Sequence, residues 1–108
     1  MIKLFVYGTL KENGALSHRF VPYREDVRSA KVSGRMYDLG HFPGARFDLS
    51  GIVKGEVHTY NTDVIPAMDR IESEGVLYNR IKINIDGEDV WTYQINKHNG
   101  AIIEEWEV

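Results

Sequence analysis

The sequence predicts an α+β fold: a small mixed, mostly antiparallel β-barrel with one principal helix. Three observations predict it. Short alternating apolar stretches recur along the chain, separated by glycine-containing turns. One stretch alone, near residues 63–75, has helical spacing. Several strands are apolar on both faces, more than one helix of about three turns can cover, so the sheet is expected to curl and close its edges.

Residues 2–7, IKLFVY, read as the first strand, with Ile2, Leu4 and Val6 on one side and Phe5 and Tyr7 on the other. It runs into Gly8-Thr9-Leu10, where glycine lets the backbone turn sharply and another group approach closely. Amide hydrogens freed at such a turn can receive a carboxylate or carbonyl oxygen, although taken alone the stretch is more simply a plain strand-ending turn. Residues 11–23 read as loop, with a turn at Asn13-Gly14 and one helical turn near residues 16–20. Residues 27–39 form a strand bent or bulged at Gly34. Gly40-His41-Phe42-Pro43-Gly44 reads as a loop shaped by its glycines and proline. Ile52–Tyr60 is a strand with Val53, Gly55, Val57 and Thr59 on one face, Gly55 marking a close approach or a bend. Beyond the helix, Tyr78–Ile85 sets Ile81, Ile83 and Ile85 opposite Tyr78, Arg80 and Lys82. Asp86-Gly87 is a hairpin turn, and residues 89–95 return with Trp91, Tyr93 and Ile95 on one side. Asn99-Gly100 turns the chain once more, and residues 101–106 end it as a short strand or extended tail.

The helix is capped by Asp63, which places Pro66 in the first turn where its missing N–H costs no bond. Val64, Ile65, Met68 and Ile71 form its apolar stripe, and Gly75 supplies the stop. At about 100° per residue, Glu72 falls on the edge of that stripe beside Ile65 and Met68, Asp69 lies farther round, and Glu74 is near or past the end. A carboxylate turned toward apolar surroundings has its pKa raised by desolvation, which suits a group that takes and returns a proton. On helical geometry alone, a Glu72 that snorkels to water is the favoured reading.

With 108 residues the chain is expected to be a single domain, 1–108, with a modest core. A net charge of −3 without a basic run or basic helix face argues against a nucleic-acid partner. The absence of cysteine excludes disulfides, a cysteine nucleophile and thiolate metal sites, and fits a cytoplasmic location. No apolar run approaches the roughly 18–20 residues of a membrane span, and no signal-peptide pattern opens the chain, so no membrane association is expected. Four scattered histidines make a poor metal site. Of these, His18 reads as a surface or packing residue and His41 as a possible base without a triad.

Three motifs then fall in order: FVYGTL at residues 5–10, GHFPG at 40–44 and MDRIESEGVLYNR at 68–80. The chain resembles the γ-glutamylcyclotransferase-like family, its AIG2-like and γ-glutamylamine cyclotransferase branch, essentially end to end. FVYGTL is a fairly specific opening, and Asp-x-x-Glu followed six residues later by Tyr-x-Arg is the second half of the signature. The resemblance implies a small mixed β-barrel with helices that releases 5-oxoproline from a small-molecule γ-glutamyl substrate, using one Glu and no metal or cofactor. It implies Glu72 as general acid/base, three residues after Asp69, with Glu74 as rival because Glu74-Gly75 mimics a pair found in many members. It also implies substrate binding by Tyr7, Gly8, Thr9 and Leu10, and by Tyr78 and, more weakly, Tyr93. The alternative is a catalytically silent small-molecule-binding module of the same fold.

Overall fold

The computed structural model describes every residue except His98, one of the four histidines. The strands are β1 (Ile2–Val6), β2 (Arg24–Ser33), β3 (Arg35–Asp38), β4 (Pro43–Arg46), β5 (Ile52–Tyr60), β6 (Tyr78–Ile85), β7 (Glu88–Ile95) and β8 (Ala101–Ile103), with one helix, α1 (Ile65–Ile71), between β5 and β6. Five strands form one sheet in the order β2-β5-β1-β7-β6, and β4-β3-β8 form a second. Among the described strand pairs, β1–β7 is parallel and the others are antiparallel. The α+β class, mixed but mostly antiparallel with one principal helix, is the one expected.

β1 organises both cores, because alternate side chains leave a strand on opposite faces. Leu4 and Val6 join Tyr60, Val64, Ile65, Met68, Tyr78, Tyr93 and Ile95 on the helix side. Phe5 and Tyr7 join Met36, Ala45, Val53, Val57, Ile85 and Val90, a core to which both sheets contribute. Asp86 and Gly87 both take positive φ, 53° and 86°, and make the tight turn that pairs Ile85 with Glu88. Gly55 is required by close approach, since a Cβ there would lie 2.5 Å from Val6 O.

Three local expectations change. The bend at Gly34 is a change of sheet: β2 belongs to the large sheet and β3 to the small one, and a Cβ on Gly34 would lie 2.9 Å from Arg46 O. The second half of GHFPG is strand rather than loop: Pro43 and Gly44 pair with Asp38 and Tyr37. Pro43 is tolerated because β4 is an edge strand, where a missing donor interrupts nothing. Finally, α1 is seven residues long and not three turns. Its N-cap position is Val64, one residue later than expected, although Asp63 Oδ1 still accepts from Ile65 N–H at 3.1 Å and Pro66 stands in the first turn.

Candidate active site

Ser73, not Gly75, ends α1. It takes φ 50° after the C-cap residue Glu72, with Ser73 N–H donating to Arg70 O (3.3 Å) and Glu74 N–H to Asp69 O (2.9 Å). This pair of bonds is the Schellman arrangement, which reverses the chain in one residue. Reversal directly after Glu72 sends Glu72 and Glu74 to different surroundings. Glu72 lines a cleft of about 200 Å3 whose other walls include the Tyr7–Leu10 loop, Phe42, Pro43, Leu77, Tyr78 and Tyr93. Glu74 is exposed, and its Oε2 accepts from Arg80 N–H at 3.2 Å.

Glu72 is half-buried, and burial pushes its carboxyl up to about 7. Desolvation is the whole cause: among the described residues no cation or hydrogen bond holds the charged form. Three tyrosines surround it, and its charge helps raise the pKa of each, after burial in every case. All three are hydroxyl-satisfied. Tyr7 OH donates to Tyr93 O and accepts from Ala45 N–H, joining the two sheets. Tyr78 OH donates to Pro43 O at 2.7 Å. Tyr93 OH donates to Asp69 Oδ1 at 2.7 Å, and the same oxygen accepts from Arg80 Nε at 3.0 Å. The Asp, Tyr and Arg of the second motif thus include a structural tie, Asp69 to Arg80, that fastens α1 to β6, with Arg80 also stacked 4.4 Å above the Trp91 ring.

The loop after β1 behaves differently. Lys11 N–H donates to Gly8 O and Leu16 N–H to Thr9 O. Among the described residues, no loop hydrogen bond is donated by Gly8, Thr9 or Leu10. Gly8 is needed because the Pro43 ring lies against it: a Cβ would sit 2.7 Å from Pro43 Cγ. FVYGTL and GHFPG are therefore two sides of one contact, which no spacing within either motif could reveal. His41 stands exposed at the rim of the cleft. Leu16, Phe42 and Leu77, which sequence reasoning did not single out, complete its apolar wall. All seven expected site residues, Tyr7, Gly8, Thr9, Leu10, Glu72, Tyr78 and Tyr93, line this one cleft.

Residues 4–107 match the family model described as gamma-glutamyl cyclotransferase, AIG2-like, and the chain belongs to that family. Among its relatives, the gamma-glutamylcyclotransferase family protein YtfP of Escherichia coli is 28% identical over 92 residues, covering 85% of this chain and 80% of that one. The solution structure of the E. coli protein superposes with a TM-score of 0.70 at 26% identity, covering 96% of this chain and 93% of its own. The crystal structure of the uncharacterized protein PH0828 from Pyrococcus horikoshii shares the fold with a TM-score of 0.80 at 20% identity, covering 96% and 86%. That of a mouse AIG2-like protein does so with a TM-score of 0.65 at 17% identity, covering 92% and 80%.

Proposed function

We propose that the chain is a γ-glutamyl cyclotransferase-type enzyme that releases 5-oxoproline and a free amine from a γ-glutamyl amine or γ-glutamyl amino acid. The observation that carries this reading is Glu72: a carboxyl raised to about 7 by desolvation alone, in the cleft it shares with the Gly8–Leu10 amides. Family membership supports it independently.

The substrate's own α-amino nitrogen attacks its γ-amide carbonyl carbon. A C–N bond closes the five-membered ring, and the γ-C–N bond to the leaving amine then breaks. Nucleophile and electrophile belong to one molecule, so a cleft that folds the γ-glutamyl chain supplies effective concentration, worth up to about 7–11 kcal/mol in well-oriented cases. Glu72 takes a proton from the α-ammonium, freeing the lone pair that attacks, and delivers that proton to the departing nitrogen; the proton then shed by the ring nitrogen protonates the released amine, a cycle suited to a carboxyl titrating near neutrality. The amide hydrogens of Gly8, Thr9 and Leu10 hold the substrate and steady the developing oxyanion. The tyrosines act as walls, their hydroxyls already engaged in the fold.

Incubation with a panel of γ-glutamyl amines and dipeptides, followed by measurement of 5-oxoproline, is the direct test. Glu72→Gln is expected to fold and to lower turnover by about 10²–10⁴, some 3–5.5 kcal/mol at the barrier, while Glu74→Gln keeps it. Unchanged turnover in a folded Glu72→Gln protein would remove Glu72 from the reaction. Binding without release from any substrate would leave a silent module.

A further inference from the structure

A cleft of about 200 Å3 is smaller than the roughly 300–1,000 Å3 of pockets that enclose drug-sized ligands. If it holds the γ-glutamyl half of a substrate, the leaving amine projects past its rim. Among the described residues no Lys or Arg lines the cleft, whose one basic side chain is His41 at the rim, so a carboxylate on the leaving group finds no permanent countercharge inside it. Across Ile71 lies a second groove, walled by Arg19, Phe20, Tyr23, Ala67, Arg70 and Ile71. Ile71 lines both, so one side chain separates them. The groove has two cations and no acid along its walls. Among the described residues, the Arg19 and Arg70 side chains enter no ion pair or hydrogen bond. The pair approaches from different elements: Arg19 ends the 3₁₀ turn Ser17–Arg19, and Arg70 sits in the last turn of α1. Phe20 and the partly exposed Tyr23 add an apolar flank.

The geometry points to this groove as the subsite for a carboxylate carried by the leaving amine. Resting on the γ-glutamyl reading of the cleft, it assigns the substrate class: a γ-glutamyl peptide with a free C-terminus, whose backbone crosses Ile71 and whose terminal carboxylate lies between Arg19 and Arg70. Both arginines are exposed, so each contributes modestly and the attraction weakens with salt.

The test uses γ-glutamyl-alanyl-glycine and its C-terminal carboxamide. Calorimetry on Glu72→Gln, whose turnover is expected to be slowed about 10²–10⁴-fold, is expected to give about three- to tenfold tighter binding of the acid. Adding Arg19→Gln and Arg70→Gln is expected to bring the ratio to about one while leaving carboxamide binding unchanged. Equal or absent binding of the two peptides, or a preference that survives loss of both arginines, overturns the subsite. Assay of the otherwise unaltered protein on the same peptides separates the two readings. An arginine-dependent preference without 5-oxoproline removes the chemistry and keeps the groove; release of 5-oxoproline without the preference removes the groove alone.

Discussion

The row Glu56, His58 and Tyr60 on β5 and the carboxyl of Glu72 are both polar groups set against the helix-side core, yet their circumstances are opposite. His58 is completely buried, with Nε2 2.8 Å from Glu56 Oε1 and Nδ1 3.0 Å from Tyr60 OH. A carboxylate only accepts, so Nε2 carries the hydrogen and Nδ1 accepts from the tyrosine. Glu56 also receives Glu12 N–H at 2.7 Å. Both ring nitrogens of His58, the Tyr60 hydroxyl and Glu56 Oε1 have partners, and the row is a structural brace. Among the described residues, the Glu72 carboxyl has desolvation without a partner. Buried polar groups normally appear in the first condition, because an unmade bond costs about 1–3 kcal/mol. The second is the condition that the proposed proton transfer by Glu72 requires.

The largest effect that would sharpen this contrast is on stability. The folded pKa of Glu72 is raised to about 7 from 4.5, so the unfolded chain loses its proton first. Stability therefore falls as pH rises from about 4.5 to 7, by about 3 kcal/mol, and the loss is complete above that. Glu72→Gln, which cannot ionise, should be more stable than the parent by up to that amount at pH 8, the gap closing toward pH 4.5 in urea titrations. A gap independent of pH would break the contrast. His58 has the opposite sign: burial lowers its pKa despite the Glu56 bond, so stability should fall as pH drops below about 6.5, where the unfolded imidazole charges first.

Asp69 stands one helical turn from Glu72 and is expected to behave like the brace. Asp69→Ala strips Tyr93 OH and Arg80 of a shared acceptor and should cost about 1.5–3 kcal/mol, read from the denaturation midpoint. Gly8→Ala forces the Pro43 ring off the loop and should cost about 1–3 kcal/mol while raising KM. Glu74→Gln is the smallest: an exposed side chain bonded to one backbone amide, expected to change stability by no more than about 0.5 kcal/mol. A large loss there would undo the distinction between the two acids.

Much of the site was legible because its parts are local. Helical angle alone put Glu72 on the edge of the apolar stripe, and a glycine at the exit of a two-faced strand marked the β1 loop. The tyrosines illustrate what stays hidden. Tyr7 reads as a residue at a binding loop, but its hydroxyl bond to Tyr93 O spans 86 positions. His58 shows the same blindness: it lies on the face of its strand opposite Val53, Gly55, Val57 and Thr59, and the burial of that face depends on the helix-side packing of Tyr60.

Short-range preferences along the chain account for the local elements: the strand periods, the Asp86-Gly87 hairpin, the placement of Pro66 in the first turn, and an acid near the end of the helix. These follow from torsional preference and side-chain spacing within a few residues. Only the tertiary structure decided that Gly34 passes the chain between sheets and that Pro43 packs on Gly8. It alone left Glu72 unpartnered while Asp69 took both nearby donors. Which donor meets which acceptor across the chain is set by how the sheets and helix pack, and no short stretch of residues contains that information.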